Sequence, residues 1–152
     1  MISKFLLPHK FKIIGWIILV PSFILGVLWV AGIRYKVISP VFAIWADNGE
    51  YFTIIYKNIF NEIVAVPLLL SLMFVSFARE KFEDEYLTKI RLESLTWSIF
   101  VNSTLLLLAW LIVFREGFYN IMIYNMFTVL ILFIVRFYSI LYKNKKQLKN
   151  EK

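Results

Sequence analysis

Hydrophobic positions along this chain are gathered into four uncharged runs, residues 13–33, 63–78, 94–114 and 117–135, separated by short polar or charged segments, and the second span extends to about 59–78 with Asn61 and Glu62 near the headgroups. A helix needs about 20 apolar residues, at about 1.5 Å rise each, to cross a hydrocarbon core roughly 30 Å thick. Each run therefore predicts a transmembrane helix, the second reaching that length once Ile59 and Phe60 are counted with it. Pro21 should kink the first helix and Pro67 the second, while Ser22 and Gly26 form a small-x-x-x-small pair that admits a neighbouring helix closely. The expected fold is all-α: an integral membrane four-helix bundle forming one domain over residues 1–152.

The connections add detail. The outer segment from Arg34 to Asn58 is apolar for a loop, with Val41, Phe42, Ile44, Trp45, Tyr51, Phe52, Ile54, Ile55 and Tyr56. Ser39 followed by Pro40 reads as an N-cap with proline at the first helical position, so a short interfacial helix from Pro40 to Ala46 is expected, then an Asp47-Asn48-Gly49 turn and a second helix running into span two. Such a segment would cover the bundle at the interface or line an aromatic pocket. The connection 79–93 has neither Gly nor Pro and is expected to be a tight helical hairpin, helical through most of its length. There Asp84 or Glu85 would complement the next helix's N-terminus, and Glu85–Lys89 and Lys89–Glu93 would form i,i+4 pairs. Spans three and four are joined only by Arg115-Glu116-Gly117, so they should be antiparallel neighbours, with Gly117 as a left-handed helix stop. Beyond Arg136 the helix should continue past Tyr138 and Tyr142 into a frayed basic tail ending at Lys152.

Cationic side chains resist translocation, so their distribution reports orientation. Lys4, Lys10 and Lys12, with Arg79, Lys81, Lys89 and Arg91, and with Arg136, Lys143, Lys145, Lys146, Lys149 and Lys152, fall on one side; only Arg34, Lys36, Lys57 and Arg115 fall on the other. Both termini are therefore expected in the cytoplasm, and the net charge of +7 reflects topology and contact with anionic lipid, with no direct nucleic-acid binding. A cleaved signal peptide is rejected, because the first run exceeds a signal's apolar core and no small-x-small site follows it. Trp16 with Trp29, and Trp97 with Trp110, mark the two ends of spans one and three. Composition agrees: 61% hydrophobic and 18% charged residues lie far from a soluble domain's balance.

Most chemistry is excluded. Without cysteine there is no thiol redox or thiolate metal site. The one histidine, His9, cannot make a bis-His haem or a His-x-x-x-His zinc site and is expected to be solvated or in the headgroups. No Gly-rich phosphate loop occurs, and the spans carry no ionisable group near their middles, as ion-coupled transport requires. Glu62, beside Asn58 and Asn61, reads as an interfacial carboxylate or a counter-ion site. No catalytic residue, cofactor or metal is expected.

Two sets of residues stand out. Ser94, Ser98 and Asn102 lie on one face of span three, and Asn125, Thr128 and Arg136 close to one face of span four. They would serve either as interhelical hydrogen-bonding glue or as a polar cavity. The charged hairpin residues Glu83, Asp84, Glu85, Lys89, Arg91 and Glu93 would form salt bridges among themselves and with the tail, or dock a protein partner.

The residues Glu83-Asp84-Glu85-Tyr86, Lys89-Ile90-Arg91, Glu93-Ser94-Leu95 and Trp97, followed by Tyr124-Asn125-Met126-Phe127-Thr128 and Arg136-Phe137, carry a resemblance over residues 79–140. The stretch resembles small bacterial four-span inner-membrane proteins of unknown function, often encoded beside a helix-turn-helix transcriptional regulator. This implies four-span topology, a bacterial inner membrane and a regulatory partner, and transfers no catalytic residue. The function expected is that of a non-enzymatic accessory or signalling component contacting a cytoplasmic or membrane protein through residues 79–93. The alternative is a small transporter or lipid- or small-molecule-sensing bundle acting as a dimer around Ser98, Asn102 and Asn125.

Overall fold

The computed structural model describes residues 6–33, 35–45, 49, 51–81, 84–114 and 116–150. The elements run α1 (His9–Val30), β1 (Ile38–Trp45), β2 (Tyr51–Asn58), α2 (Phe60–Phe77), α3 (Glu85–Ile112) and α4 (Glu116–Asn150). All four helices are long and apolar enough to cross a membrane. The expected Asp47-Asn48 turn, Glu83, and the cations Lys4, Arg34, Arg115 and Lys152 lie outside the described residues, as does the side chain of Lys149. The chain divides into two units, residues 17–70 and residues 1–16 with 71–152.

Within residues 17–70 the expected interfacial helix is absent, and an antiparallel hairpin takes its place, with Phe42 opposite Ile54 and Pro40 opposite Tyr56. The alternation that favours strands was present in the sequence. Ile38, Phe42, Ile44, Phe52, Ile54 and Tyr56 share one face and are 62 to 77% exposed, whereas Ser39, Val41, Ala43, Thr53 and Ile55 on the other face are half-buried. Proline at position 40 does not forbid a strand, because both strands of a two-stranded ribbon are edges and one side of each has no ladder bond to lose.

Both helix ends of this unit are finished by local chemistry. At the end of α1, Gly32 adopts φ 88°, Ile33 N–H donates to the Leu28 carbonyl at 3.0 Å and Gly32 N–H to Trp29 at 3.1 Å. That paired bonding around a left-handed glycine stops the helix at Val30, before the expected Ile33. At the start of α2, the Asn58 side-chain oxygen accepts from the N–H groups of Phe60 (3.2 Å) and Val37 (3.0 Å), so one amide closes the hairpin and opens the helix. Glu62 accepts from Lys57 at 2.9 Å in an exposed pair.

In the other unit α3 and α4 are antiparallel neighbours, as expected: Tyr86 meets Asn144, Trp97 meets Arg136 and Asn102 meets Asn125. Three expectations are corrected. The connection 79–93 is not helical at residues 79–81 or at Asp84, because α2 stops at Phe77 and α3 starts at Glu85 after Asp84, whose side chain accepts from Leu87 N–H at 2.8 Å as an N-cap. Gly117 is not a left-handed stop; it lies in the first turn of α4, where a Cβ would come within 2.9 Å of a Val113 methyl, and the turn is made at Val113, extended at φ −109° and ψ 127°. The tail does not fray after Tyr142. With no Gly or Pro after Gly117, and with Lys, Gln and Leu as good helix formers, α4 continues for 35 residues, about 52 Å.

Burial on α3 is one stripe, Ile90, Ser94, Ser98 and Asn102, and it joins Leu72, Val75 and Ala78 near the α2 end and Phe127, Phe133, Ile134 and Phe137 of α4. Serines are among the most enclosed residues, with Ser71, Ser94 and Ser98 at 0% exposure. Lipid supplies no hydrophobic drive between helices, so close approach of small side chains has to hold them. Gly15 of α1 shows this directly: a Cβ there would lie 2.9 Å from a Val75 methyl and 3.1 Å from the Val75 backbone nitrogen. At Gly26 the nearest neighbour would be a Leu68 methyl at 3.4 Å.

The two glycines should therefore respond oppositely. Gly15→Ala is expected to destabilise by about 1–3 kcal/mol through overpacking against backbone, whereas Gly26→Ala should be neutral or gain up to about 1 kcal/mol of helix propensity. Thermal unfolding of the two variants in detergent reads the difference, and equal midpoints would refute the close approach at Gly15.

Candidate functional site

The chain's polar chemistry converges where α2 ends. A helix leaves its last carbonyls without intrahelical partners, and no glycine cap follows Phe77 to satisfy them locally. Four consecutive carbonyls are instead taken up by distant donors. The Arg91 guanidinium donates to Ser76 at 2.7 Å and to Ala78 at 3.2 Å, the Leu7 N–H donates to Phe77 at 2.9 Å, and the His9 Nδ1–H donates to Arg79 at 3.0 Å. Arg79 N–H returns a bond to the Leu7 carbonyl at 2.9 Å, so the segment before α1 lies beside the α2 exit as a one-residue parallel bridge. His9 is thus half-buried and structural rather than freely solvated, the other half of the expectation, a place among headgroups, being untouched by this contact.

Aromatic and ionic contacts surround this clamp. Lys12 Nζ donates to Glu80 at 2.6 Å and sits 4.8 Å from the Tyr138 ring centroid, while Tyr138 meets Trp16 edge-on at 5.9 Å. Arg91 lies 4.8 Å from the ring of Phe137, which stacks on Phe133. A flat guanidinium can face a ring and still aim its N–H fork at two carbonyls, which an ammonium cannot do. Leu7, His9, Lys12, Glu80 and Tyr138 are residues that sequence reasoning missed. One signal was available: an apolar helix passing directly into Ala78-Arg79-Glu80 with no Gly or Asn cap requires donors from elsewhere.

The hairpin residues fare differently from one another. Glu83 lies outside the described residues. Asp84 is occupied as the N-cap of α3, and Arg91 as the carbonyl clamp. Glu85, Lys89 and Glu93 are exposed, and the expected i,i+4 ion pairs among them do not form. Such pairs gain only about 0.2–0.5 kcal/mol on a solvated helix, comparable to the cost of holding two long side chains still. Among the described residues no three carboxylates or histidines gather as a metal site.

The polar stripe is brought together. Ser94, Ser98 and Asn102 are buried, and the Ser98 hydroxyl donates to the Ser94 carbonyl one turn back. Across from them, Asn125 Nδ2 donates to Asn102 Oδ1 at 3.1 Å and Asn102 Nδ2 returns to Asn125 Oδ1 at 3.4 Å. The two amides satisfy each other in a closed ring. A cavity of about 150 Å³ lined by Leu105, Ile121, Tyr124 and Thr128 adjoins them. Thr128 turns its hydroxyl back to the Tyr124 carbonyl, and Arg136 lies over the Trp97 ring at 4.6 Å, nearer the charged end of the helices.

The chain matches no protein-family model, no curated protein and no solved structure.

Loss of the clamp should be costly and specific to the guanidinium. Arg91→Ala is expected to lower stability by about 2–3 kcal/mol and to expose the α2 exit to protease, with Arg91→Lys recovering only part of the loss. At the amide pair, Asn102→Leu should cost about 1–2 kcal/mol by leaving Asn125 unpaired, and the Asn102→Leu/Asn125→Leu double variant should cost less than the sum of the single changes. A double-mutant cycle read by unfolding in detergent checks the coupling; strict additivity would deny it.

Proposed function

We propose that this chain is a multi-pass protein of a bacterial inner membrane, with both termini in the cytoplasm, acting without catalysis as an accessory or signalling component that docks a protein partner on its charged rim. The observation that carries this reading is the set of unpaired charges beyond the apolar stretches: Glu85 and Lys89 on the first turns of α3, and Lys143, Lys145 and Lys146 on the overhanging end of α4, are all exposed and bonded to nothing among the described residues. Charges of both signs on two antiparallel helices present a patterned surface, and complementary charge on a partner gives register and a fast encounter. Two nearby ionisable groups of opposite charge are committed elsewhere, Arg91 to carbonyls and Asp84 to a helix cap, and do not neutralise this rim. The transporter or sensing alternative draws less support, because the Asn102 and Asn125 amides are turned to each other.

A photo-crosslinking residue placed at position 85 and, separately, at position 89 should capture the same protein, and Lys89→Glu should abolish capture at position 85 while leaving the amount of membrane-integrated chain unchanged. Crosslinker at the lipid-facing position 107 serves as the comparison. Capture that survives the charge reversal, or that is equal at 107, would reject the docking surface.

A further inference from the structure

A second feature of the charged end is a cleft rather than a rim. It is open, about 550 Å³ in volume, and runs along the α3 and α4 surface between Leu92, Glu93, Trp97, Phe100 and Arg136. Its depth is set by the sequence. Glu93 is the last charged residue before the uncharged run 94–114, and Arg136 is the first after the uncharged run 117–135, so the cleft straddles the boundary between headgroups and acyl chains.

The charges within it are arranged unusually. Arg136 is held against the face of Trp97 at 4.6 Å, its Nε is buried, and none of its N–H groups has an acceptor among the described residues. Glu93 lines the same cleft, exposed, and makes no ion pair with it. Arg136 lines the cleft, and a phosphate oxygen is the acceptor whose geometry matches the terminal N–H fork of a guanidinium; the Nε–H, closed off by the chain, stays outside that contact. A lone anion would also meet the Glu93 carboxylate; a group that carries a phosphate and a cation together would satisfy both. From the cleft an apolar wall continues inward past Trp97 to Phe100, which is 70% exposed.

We infer that this cleft is a specific site for a zwitterionic phospholipid with a primary amine, its phosphate on Arg136, its ammonium on Glu93 and an acyl chain along Trp97 and Phe100. A primary ammonium can donate hydrogen bonds to the carboxylate. A trimethylammonium cannot donate, and an uncharged glycerol headgroup leaves Glu93 facing the phosphate without a counter-charge. The inference rests on the chain residing in a bilayer, which carbonate-resistant membrane fractionation tests separately.

Native mass spectrometry of the full chain, after exchange into equal amounts of phosphatidylethanolamine, phosphatidylglycerol and phosphatidylcholine, reads the site. The wild type should retain phosphatidylethanolamine about ten-fold over each of the others, the difference expected from one charge-assisted hydrogen bond. Glu93→Gln should erase the preference over phosphatidylglycerol, Arg136→Gln should lower retention of all three, and Lys36→Gln should change nothing. Should Arg136→Gln fail to fold by circular dichroism, Glu93→Gln alone decides, since that side chain is exposed. Unselective retention by the wild type, unchanged selectivity in Glu93→Gln, or full displacement of lipid by millimolar phosphoethanolamine in solution would each overturn the assignment.

Discussion

At the exit of α2, four carbonyls in succession, from Ser76 to Arg79, lack intrahelical partners, and the conformation of the surrounding unit depends on how they are satisfied. Each is met by a donor distant in sequence: Arg91 twice, Leu7 once and His9 once. In hydrocarbon or at its edge, water is a poor substitute, so an unmet carbonyl is expensive and the donors must arrive with the fold. Three segments are thereby fixed to a single point: the strand-like residues before α1, the exit of α2 and the second turn of α3. The aromatic rings of Phe137 and Tyr138 then bring α4 to the same place through Arg91 and Lys12. Charge at this end is consequently part of the scaffold before any of it is available for recognition.

Away from that point the packing follows the rules of helices in lipid. Enclosed serines, a glycine pressed against a neighbouring backbone, and one amide pair take the place of a large apolar core. The large side chains mostly face outward; Phe100, Trp110, Leu111 and Ile112 are each more than half exposed. That inversion is what a chain with hydrocarbon as its solvent should show, since apolar groups gain nothing there by turning inward.

Much of this was legible in the sequence, for reasons that differ by element. The four helices followed from length and hydropathy, which bilayer thickness converts into a count. The stripe Ser94, Ser98, Asn102 followed from a four-residue spacing, which geometry alone places on one face. The hairpin was misread because Ser39-Pro40 carries a genuine helix-start signature, and the alternation of Phe42, Ile44, Phe52 and Ile54 competes with it; a two-stranded ribbon tolerates the proline that would exclude a central strand. Gly117 differs from its expected role because a glycine near a turn can serve either conformational freedom or close approach, and only its surroundings in space distinguish the two. Arg91 looked like its neighbour Lys89 in a run of charges. Its inward role depends on where the α2 carbonyls fall, a relation across fifteen residues that no local pattern records.

The continuation of α4 changes what its basic end is. A frayed tail would sweep a volume and touch the lipid surface at random, whereas fifteen helical residues beyond Val135, at about 1.5 Å each, form a strut about 22 Å tall. Lys143, Lys145 and Lys146 then leave one continuous helix at fixed rise and azimuth along its axis, and the Tyr86 to Asn144 bond ties the strut to the base of α3 partway along. A fluorophore attached near its tip would report distance from the bilayer as a ruler does, with a narrow spread.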